Sequence, residues 1–421
     1  MSKKFLIIGK SCSRRQEEVS MVRRFLLSND WNETGRLQRA DLIVFFACAG
    51  VRCIVNENLE EIAETQKRMK PGAELIVGSC LPRMDTESLR SVFKGRTITP
   101  TDFTALNDLP NVRLPFEAMP AMWGRDAACI QLKHPGSIAA SRMWIEDAAF
   151  QCVKFIIEKR PAPFLKRTAF WLKRRNIVSF SVAAGCSRKC AYCARPFASG
   201  KVRSKPIEVV VENIRRGLSL GYRSYNLYAD SIGTYGSDLD VSLGDLLERI
   251  LGIDGRFTIG LYDVHAQDFI RFVHPIKRLC ESGKLHYLYV GVQSGNERIL
   301  KLMRRPCDVE DLAAKLADIR RFEHVFMQSA IIAGFPGETD DEFEDTLRLL
   351  KRVNFDNVFV HCYCDMPNTE ASGMPAKVDK DAVRGRLTRV TRAGIHHDAA
   401  EALQEWDGNP AIHDYFGHQA R

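Results

Sequence analysis

The chain opens on three short apolar runs, each followed by a mixed stretch with helical spacing. Phe5–Gly9 precedes Arg14–Ser28, Asp41–Cys48 precedes Val51–Arg68, and Glu74–Gly78 precedes Met84–Phe93. Runs that are apolar throughout belong to strands covered on both faces, and strands alternating with helices pair in parallel. Residues 1–157 are therefore expected to start as a small parallel α/β domain. Pro100, Pro110, Pro115 and Pro120 break its pattern from about residue 96 onward. A second alternation begins near residue 176. Its candidate strands are Ile177–Ala183, Tyr225–Ala229, Thr258–Val264, Tyr287–Val292, Met327–Ala333 and Val358–Tyr363. Helix-like stretches such as Pro206–Leu220, Ser242–Leu251, Asn296–Arg304 and Thr339–Val353 separate them. Six strands with crossover helices predict an open, partial (β/α)6 barrel over 176–387 rather than a closed eight-stranded one. A linker at 158–175 and a tail at 388–421 complete the expected organisation.

A length of 421 residues suits two or three domains, and 45% hydrophobic with 27% charged residues excludes disordered and fibrous classes. The net charge is +9, but Lys159, Arg160, Lys166, Arg167, Lys173, Arg174 and Arg175 concentrate most of it in the linker. The first apolar run is too short for an export signal or a membrane span, so a cytoplasmic protein without membrane contact is expected. Thiols stay reduced in that compartment, and clustered cysteines among the thirteen then read as metal ligands rather than disulfides.

The strongest cluster is Cys186-Ser-Arg-Lys-Cys190-Ala-Tyr-Cys193, directly after the first barrel strand. Three thiolates at this spacing wrap one compact centre, and on an iron–sulfur cubane they leave one iron open. The competing reading is a zinc site, which would want a closing Cys/His pair at a usual distance, and none follows. Cys12, Cys48 and Cys80 form a second set. Each falls at or just beyond the carboxyl end of an N-terminal strand, the side on which crevices form in parallel sheets. Burial as small hydrophobes is the alternative for these three. Cys362 and Cys364, two apart in an apolar strand, read as core, and Cys53, Cys129, Cys152, Cys280 and Cys307 lack ligand spacing. His396, His397, His413 and His418 read as surface histidines.

The C-x3-C-x2-C motif on a six-stranded partial barrel resembles the radical S-adenosylmethionine (SAM) superfamily. The Cys12/Cys48/Cys80 pattern narrows the resemblance to the radical SAM methylthiotransferases. So do Ser199–Pro206, Asp230 with Tyr235-Gly236, Gln293-Ser-Gly295, Leu300–Arg305 and Gly334–Thr339. The Arg203–Pro206 stretch is closer to the branch that modifies a ribosomal-protein aspartate. This resemblance implies two [4Fe–4S] clusters. Cys186, Cys190 and Cys193 would hold the one that binds SAM and yields a 5′-deoxyadenosyl radical. Cys12, Cys48 and Cys80 would hold an auxiliary cluster that carries the donated sulfur. The cofactors do the hard step, so no catalytic acid or base is assigned. Tyr192 would lie by the adenine, and Asp230, Gln293 and Gly334 would contact SAM or substrate. An electron donor such as flavodoxin or ferredoxin is implied.

Three departures bear on the substrate. The residues after Leu387 lack the alternation of a C-terminal TRAM β-barrel, which is therefore expected to be missing. Ala229 and Ser199 stand where the family usually has Gln and Arg, and Ser11 and Ser13 replace its usual neighbours of the first cysteine. These point to a small-molecule, peptide or carrier-bound substrate, with tRNA and ribosomal protein ranked behind. The expected activity is insertion of methylthio or bare sulfur at an unactivated carbon. Two other readings stay open. One is a radical SAM enzyme of another outcome, dehydrogenation or rearrangement, with the second cluster in substrate binding or electron transfer. The other is an iron–sulfur nucleic-acid-binding protein gripping phosphates and bases through 158–175, with Phe164, Phe170 and Trp171 among its basic residues.

Overall fold

The computed structural model describes residues 3–10, 12–125, 127, 130 and 177–395. The linker at 158–175, Cys129, Cys152 and the four histidines from His396 onward lie outside the described residues.

The N-terminal domain is a four-stranded parallel sheet in the order β2-β1-β3-β4. Its elements are β1 (Lys4–Lys10), α1 (Gln16–Ser28), β2 (Asn32–Glu33), β3 (Leu42–Ala47), α2 (Arg52–Arg68), β4 (Glu74–Ser79), α3 (Leu81–Met84) and α4 (Thr86–Val92). The β3 run Leu-Ile-Val-Phe-Phe-Ala explains the central position. Leu42, Val44 and Phe46 pack with Val22, Phe25 and Leu26 of α1 on one face. Ile43, Phe45 and Ala47 pack with Val55 and Ile62 of α2 on the other. A strand buried on both faces has no use for polar alternation. The edge strand β2 was not expected: its two residues are exposed and carry no pattern.

The second sheet has six parallel strands in the order β12-β11-β10-β9-β8-β5, with β5 and β12 as its edges. The strands are β5 (Val178–Ser181), β8 (Ser224–Tyr228), β9 (Thr258–His265), β10 (Leu285–Gln293), β11 (Phe326–Ala333) and β12 (Asn357–Cys362). An antiparallel pair, β6 (Ala183–Ala184) with β7 (Arg203–Ser204), brackets the short helix α5 (Arg195–Ser199) and the cysteine loop. The described crossover helices are α6 (Ile207–Ser219), α7 (Leu243–Leu251), α8 (Ala266–Arg271), α9 (Val273–Glu281), α10 (Glu297–Leu302), α11 (Val309–Arg320) and α12 (Asp340–Val353). Alternate strand residues such as Leu227, Leu261, Val290, Ile331 and Val360 pack outward into one helix-covered core. Tyr228, Tyr262 and Tyr287 on adjacent strands stack with centroids 4.2 and 4.3 Å apart.

Two expectations need correction. The last helix, α13 (Lys380–Arg392), runs past Leu387 because Arg386 ties it to the barrel. Its guanidinium donates to Glu338 at 2.7 Å and Asp340 at 2.9 Å. Strand β12 ends at Cys362, so Cys362 is buried core whereas Cys364 lies beyond the strand and is half-buried. The described cysteines are all free thiols.

Candidate active site

The carboxyl ends of β1, β3 and β4 place Cys12, Cys48 and Cys80 on one side of the sheet, as expected. Cys48 directly follows β3, and Cys80 directly follows β4 and caps α3. Ser79 before it sits at φ 78°, a left-handed conformation that non-glycine residues hold only where the surroundings impose it. The Cys48 thiol is pushed up to about 12 by burial and by the neighbouring Cys12 and Cys80. Burial likewise raises Cys80, with Arg15 opposing and Cys12 adding. Cys48 and Cys80 therefore resist ionisation beside the other sulfurs, the condition that a bound cation relieves while displacing protons.

The second triad lies in the loop after β6. Gly185 opens it at φ 86°, with its amide donating to Asp230 Oδ2 at 2.9 Å. A Cβ there would sit 2.0 Å from the Lys201 carbonyl oxygen, so only glycine lets the loop leave the hairpin. The Cys186 amide donates to the Gly200 carbonyl at 3.2 Å, and the Ala191 amide to the Met303 carbonyl at 3.0 Å. Burial pushes the Cys186 thiol up to about 11, with Cys193 and Cys190 adding, and raises Cys193 as well. Among the described residues no three His, Cys, Asp or Glu side chains close on a single metal ion. Cys80 is buried and the other five of these cysteines are half-buried, and soft sulfur donors gathered in threes suit a cubane cluster with its irons at separate corners.

Sequence reasoning missed the charged latch that joins the two triads. Arg14 and Arg15 lie two and three positions after Cys12. Arg14 donates through Nε to Asp263 Oδ2 at 3.0 Å and to the Ala229 carbonyl at 3.3 Å. Arg15, 2% exposed, donates to Glu18 at 2.8 Å, to Asp230 at 3.2 and 3.3 Å, and to Ser199 Oγ. Glu17 accepts from the Ser181 amide at 2.8 Å and from the fully buried Lys205 at 2.6 Å. Burial works against Asp230 ionising, but Arg15, Arg195 and Arg14 together hold its carboxyl below the usual range. Ser199 and Ala229, the two barrel positions lacking the usual family residue, are thus contacted by arginines from the other domain.

The remaining expected site residues divide. Gln293 ends β10 at φ 69° beside a register shift, and Asp263 in β9 sits at φ 59°, so strain gathers at the carboxyl face of the barrel. Tyr192 packs against Ile299, Leu300, Met303, Ile332 and Phe335, which is core packing next to the cysteine loop. Gly334 donates its amide to Glu338 at 2.8 Å, and a Cβ there would strike Val383 at 2.4 Å; its described contacts are with Glu338 and α13. Arg188 reaches Gln267 at 2.7 Å and Asp268 from within the loop. A cavity of about 390 Å³ opens there, with Ser187, Arg188, Asp268 and Arg271 on its wall. His265 is buried; burial and then Arg305 and Arg188 hold it neutral.

Residues 180–350 match the radical SAM superfamily model. A tRNA-2-methylthio-N(6)-dimethylallyladenosine synthase of Halalkalibacterium halodurans is 28% identical over 92% of this chain and 67% of its own. The ribosomal protein uS12 methylthiotransferase RimO of Pelobacter propionicus is 25% identical over 92% of this chain and 80% of its own. Among solved structures, the radical SAM methyltransferase TsrM of Kitasatospora setae, with cobalamin and a [4Fe–4S] cluster bound, superposes with a TM-score of 0.59. It is 13% identical and covers 88% of this chain and 77% of its own, a likeness of fold. No described helix is long and apolar enough to cross a membrane. The chain thus carries a radical SAM match over residues 180–350 and is similar, over most of its length, to the methylthiotransferases.

Proposed function

We propose that the protein inserts sulfur, as methylthio or thiol, at an unactivated carbon, with Cys186, Cys190 and Cys193 holding the SAM-binding [4Fe–4S] cluster and Cys12, Cys48 and Cys80 holding the sulfur-bearing one. The observation that carries this reading is the latch: Arg14 and Arg15, two and three positions after Cys12, reach Asp263 and Asp230 at the carboxyl ends of barrel strands. When bound, the clusters and SAM supply one-electron opening of a carbon–hydrogen bond and a transferable sulfur. The chain's own residues orient and enclose. Gly185 and the Met303 carbonyl fix the loop, the latch sets one triad against the other, and the strained Gln293 ends β10 at the barrel's carboxyl face.

Ser187 and Lys189, between ligand cysteines, are exposed. With Arg188 and Arg271 beside them, this rim suits an acidic one-electron carrier such as flavodoxin or ferredoxin. The names of the relatives favour tRNA and ribosomal protein over the small-molecule, peptide or carrier-bound expectation, and those two are assayed first. Anaerobic reconstitution with iron and sulfide counts tests the reading. The Cys12→Ala/Cys48→Ala/Cys80→Ala variant should lose one cluster's worth of iron, and an unchanged count refutes the second site. Product mass separates the outcomes: gain of sulfur supports insertion, whereas a dehydrogenated or rearranged product supports the other radical chemistry.

A further inference from the structure

Arg305 lies outside both cysteine motifs, yet it is the cation that touches the SAM-cluster loop from within the barrel. It is 7% exposed. Nη1 donates to the Cys190 sulfur at 3.5 Å and Nη2 to the Gly291 carbonyl at 2.7 Å, while Nε has no hydrogen-bond partner among the described residues. Its own amide donates to the Leu300 carbonyl at 2.7 Å, so the end of α10 fixes the side chain's root. Gly291 makes room for it. A Cβ at that position would stand 2.8 Å from Gln293 Nε2 and 3.9 Å from Arg305 Nη2. The guanidinium is thus wedged between a ligand sulfur and the strand end that carries Gln293. Its nearby groups are Tyr192, Cys190, Cys193, and the buried His265 and Asp268. His265 is held neutral and Asp268 is engaged by Arg188, so Arg305 supplies an uncompensated positive charge to the sulfur.

We propose that Arg305 sets the reduction potential of the cluster held by Cys186, Cys190 and Cys193. This rests on the cluster assignment above. Reduction adds one electron from an external donor to the cluster, with no proton taken up and no bond made or broken. The added negative charge spreads onto the thiolate sulfurs. A charged donor on one of those sulfurs stabilises the reduced form more than the oxidised form, and burial keeps water from screening it. Arg305 is a positioning and tuning residue in this scheme and takes no part in proton transfer.

The test is a dithionite-poised titration of the reconstituted full chain, followed by electron paramagnetic resonance, for wild type, Arg305→Met, Arg305→Gln and Arg305→Lys. At the wild-type midpoint, the reduced-to-oxidised ratio should fall at least tenfold in Arg305→Met and Arg305→Gln, which is about 59 mV for one electron. Arg305→Lys keeps the charge but cannot serve Cys190 and Gly291 together, so it should shift less and in the same direction. The N-terminal cluster is the internal control and should not move. Iron content and circular dichroism identify any variant that loads or folds poorly, and the remaining substitutions carry the comparison. Unchanged midpoints in loaded variants, or equal shifts in both clusters, overturn the proposal. A wild-type protein that loads no cluster at Cys186, Cys190 and Cys193 instead overturns the functional reading on which it rests.

Discussion

Replacing Arg15 by Met removes the centre of the inter-domain latch while keeping most of its volume. In the wild type this guanidinium serves Glu18, Asp230 and Ser199 from a position only 2% exposed. Breaking a buried ion pair from one side costs about 3–5 kcal/mol, because the abandoned carboxylate stays out of water. Two features bring this case to the lower end. Burial already raises the Glu18 carboxyl, so without Arg15 it takes a proton rather than remaining charged. Asp230 keeps Arg14 and Arg195 nearby and the Gly185 amide at 2.9 Å. The expected loss is about 3 kcal/mol, or about 3–4 °C in melting temperature for a chain of 421 residues. Anaerobic thermal unfolding followed by circular dichroism measures it. Arg15→Met/Asp230→Asn should recover part of the loss, with a coupling of about 1–3 kcal/mol. A loss below about 1 kcal/mol, or strictly additive single and double variants, would refute the view of Arg15 as the keystone of the interface.

Three further outcomes are expected. Gly185→Ala drives a Cβ to 2.0 Å from the Lys201 carbonyl at φ 86°, so it should destabilise by about 2 kcal/mol or more and lower iron bound at the C-terminal triad alone. Ser199→Arg places a second guanidinium against Arg15 at a fully buried position. It should fold poorly, whereas Arg15→Ser/Ser199→Arg should regain melting temperature. Glu342 is held down to about 2 by its hydrogen bonds to Arg298 and to Thr339, which it caps on α12. Its folded value lies below its unfolded one, so its stabilisation is full above about pH 4.5 and vanishes as pH falls through 2. Glu342→Gln should flatten acid unfolding over that window by about 1 kcal/mol after solvent screening, and a parallel acid curve would count against the linkage.

What the sequence made legible follows physical range. The runs at Leu42–Ala47 and Phe326–Ala333 announce themselves because both faces of the strand are buried, and the three N-terminal cysteines then fall at strand ends. The exposed pair Asn32–Glu33 has no such signature, and it becomes a strand only because β1 offers a free edge. Arg14 and Arg15 look like ordinary solvated charges in a basic start. Their partners Asp263 and Asp230 lie 249 and 215 positions away, and only the fold brings them together. The signal available was local: two arginines two and three positions after a ligand-type cysteine, which a solvated helix start does not require. At Gly334 the room that a Cβ would need is taken by Val383 of α13, a neighbour 49 positions away that only the fold supplies.

The latch has a kinetic consequence. Because Arg14, Arg15 and Glu17 clamp one domain onto the mouth of the other through buried ion pairs, the two centres belong to a single stiff body. Turnover in such a body does not wait for a hinge to close. Under the proposed function, the span between the two cysteine triads is set when the chain folds, before any substrate arrives.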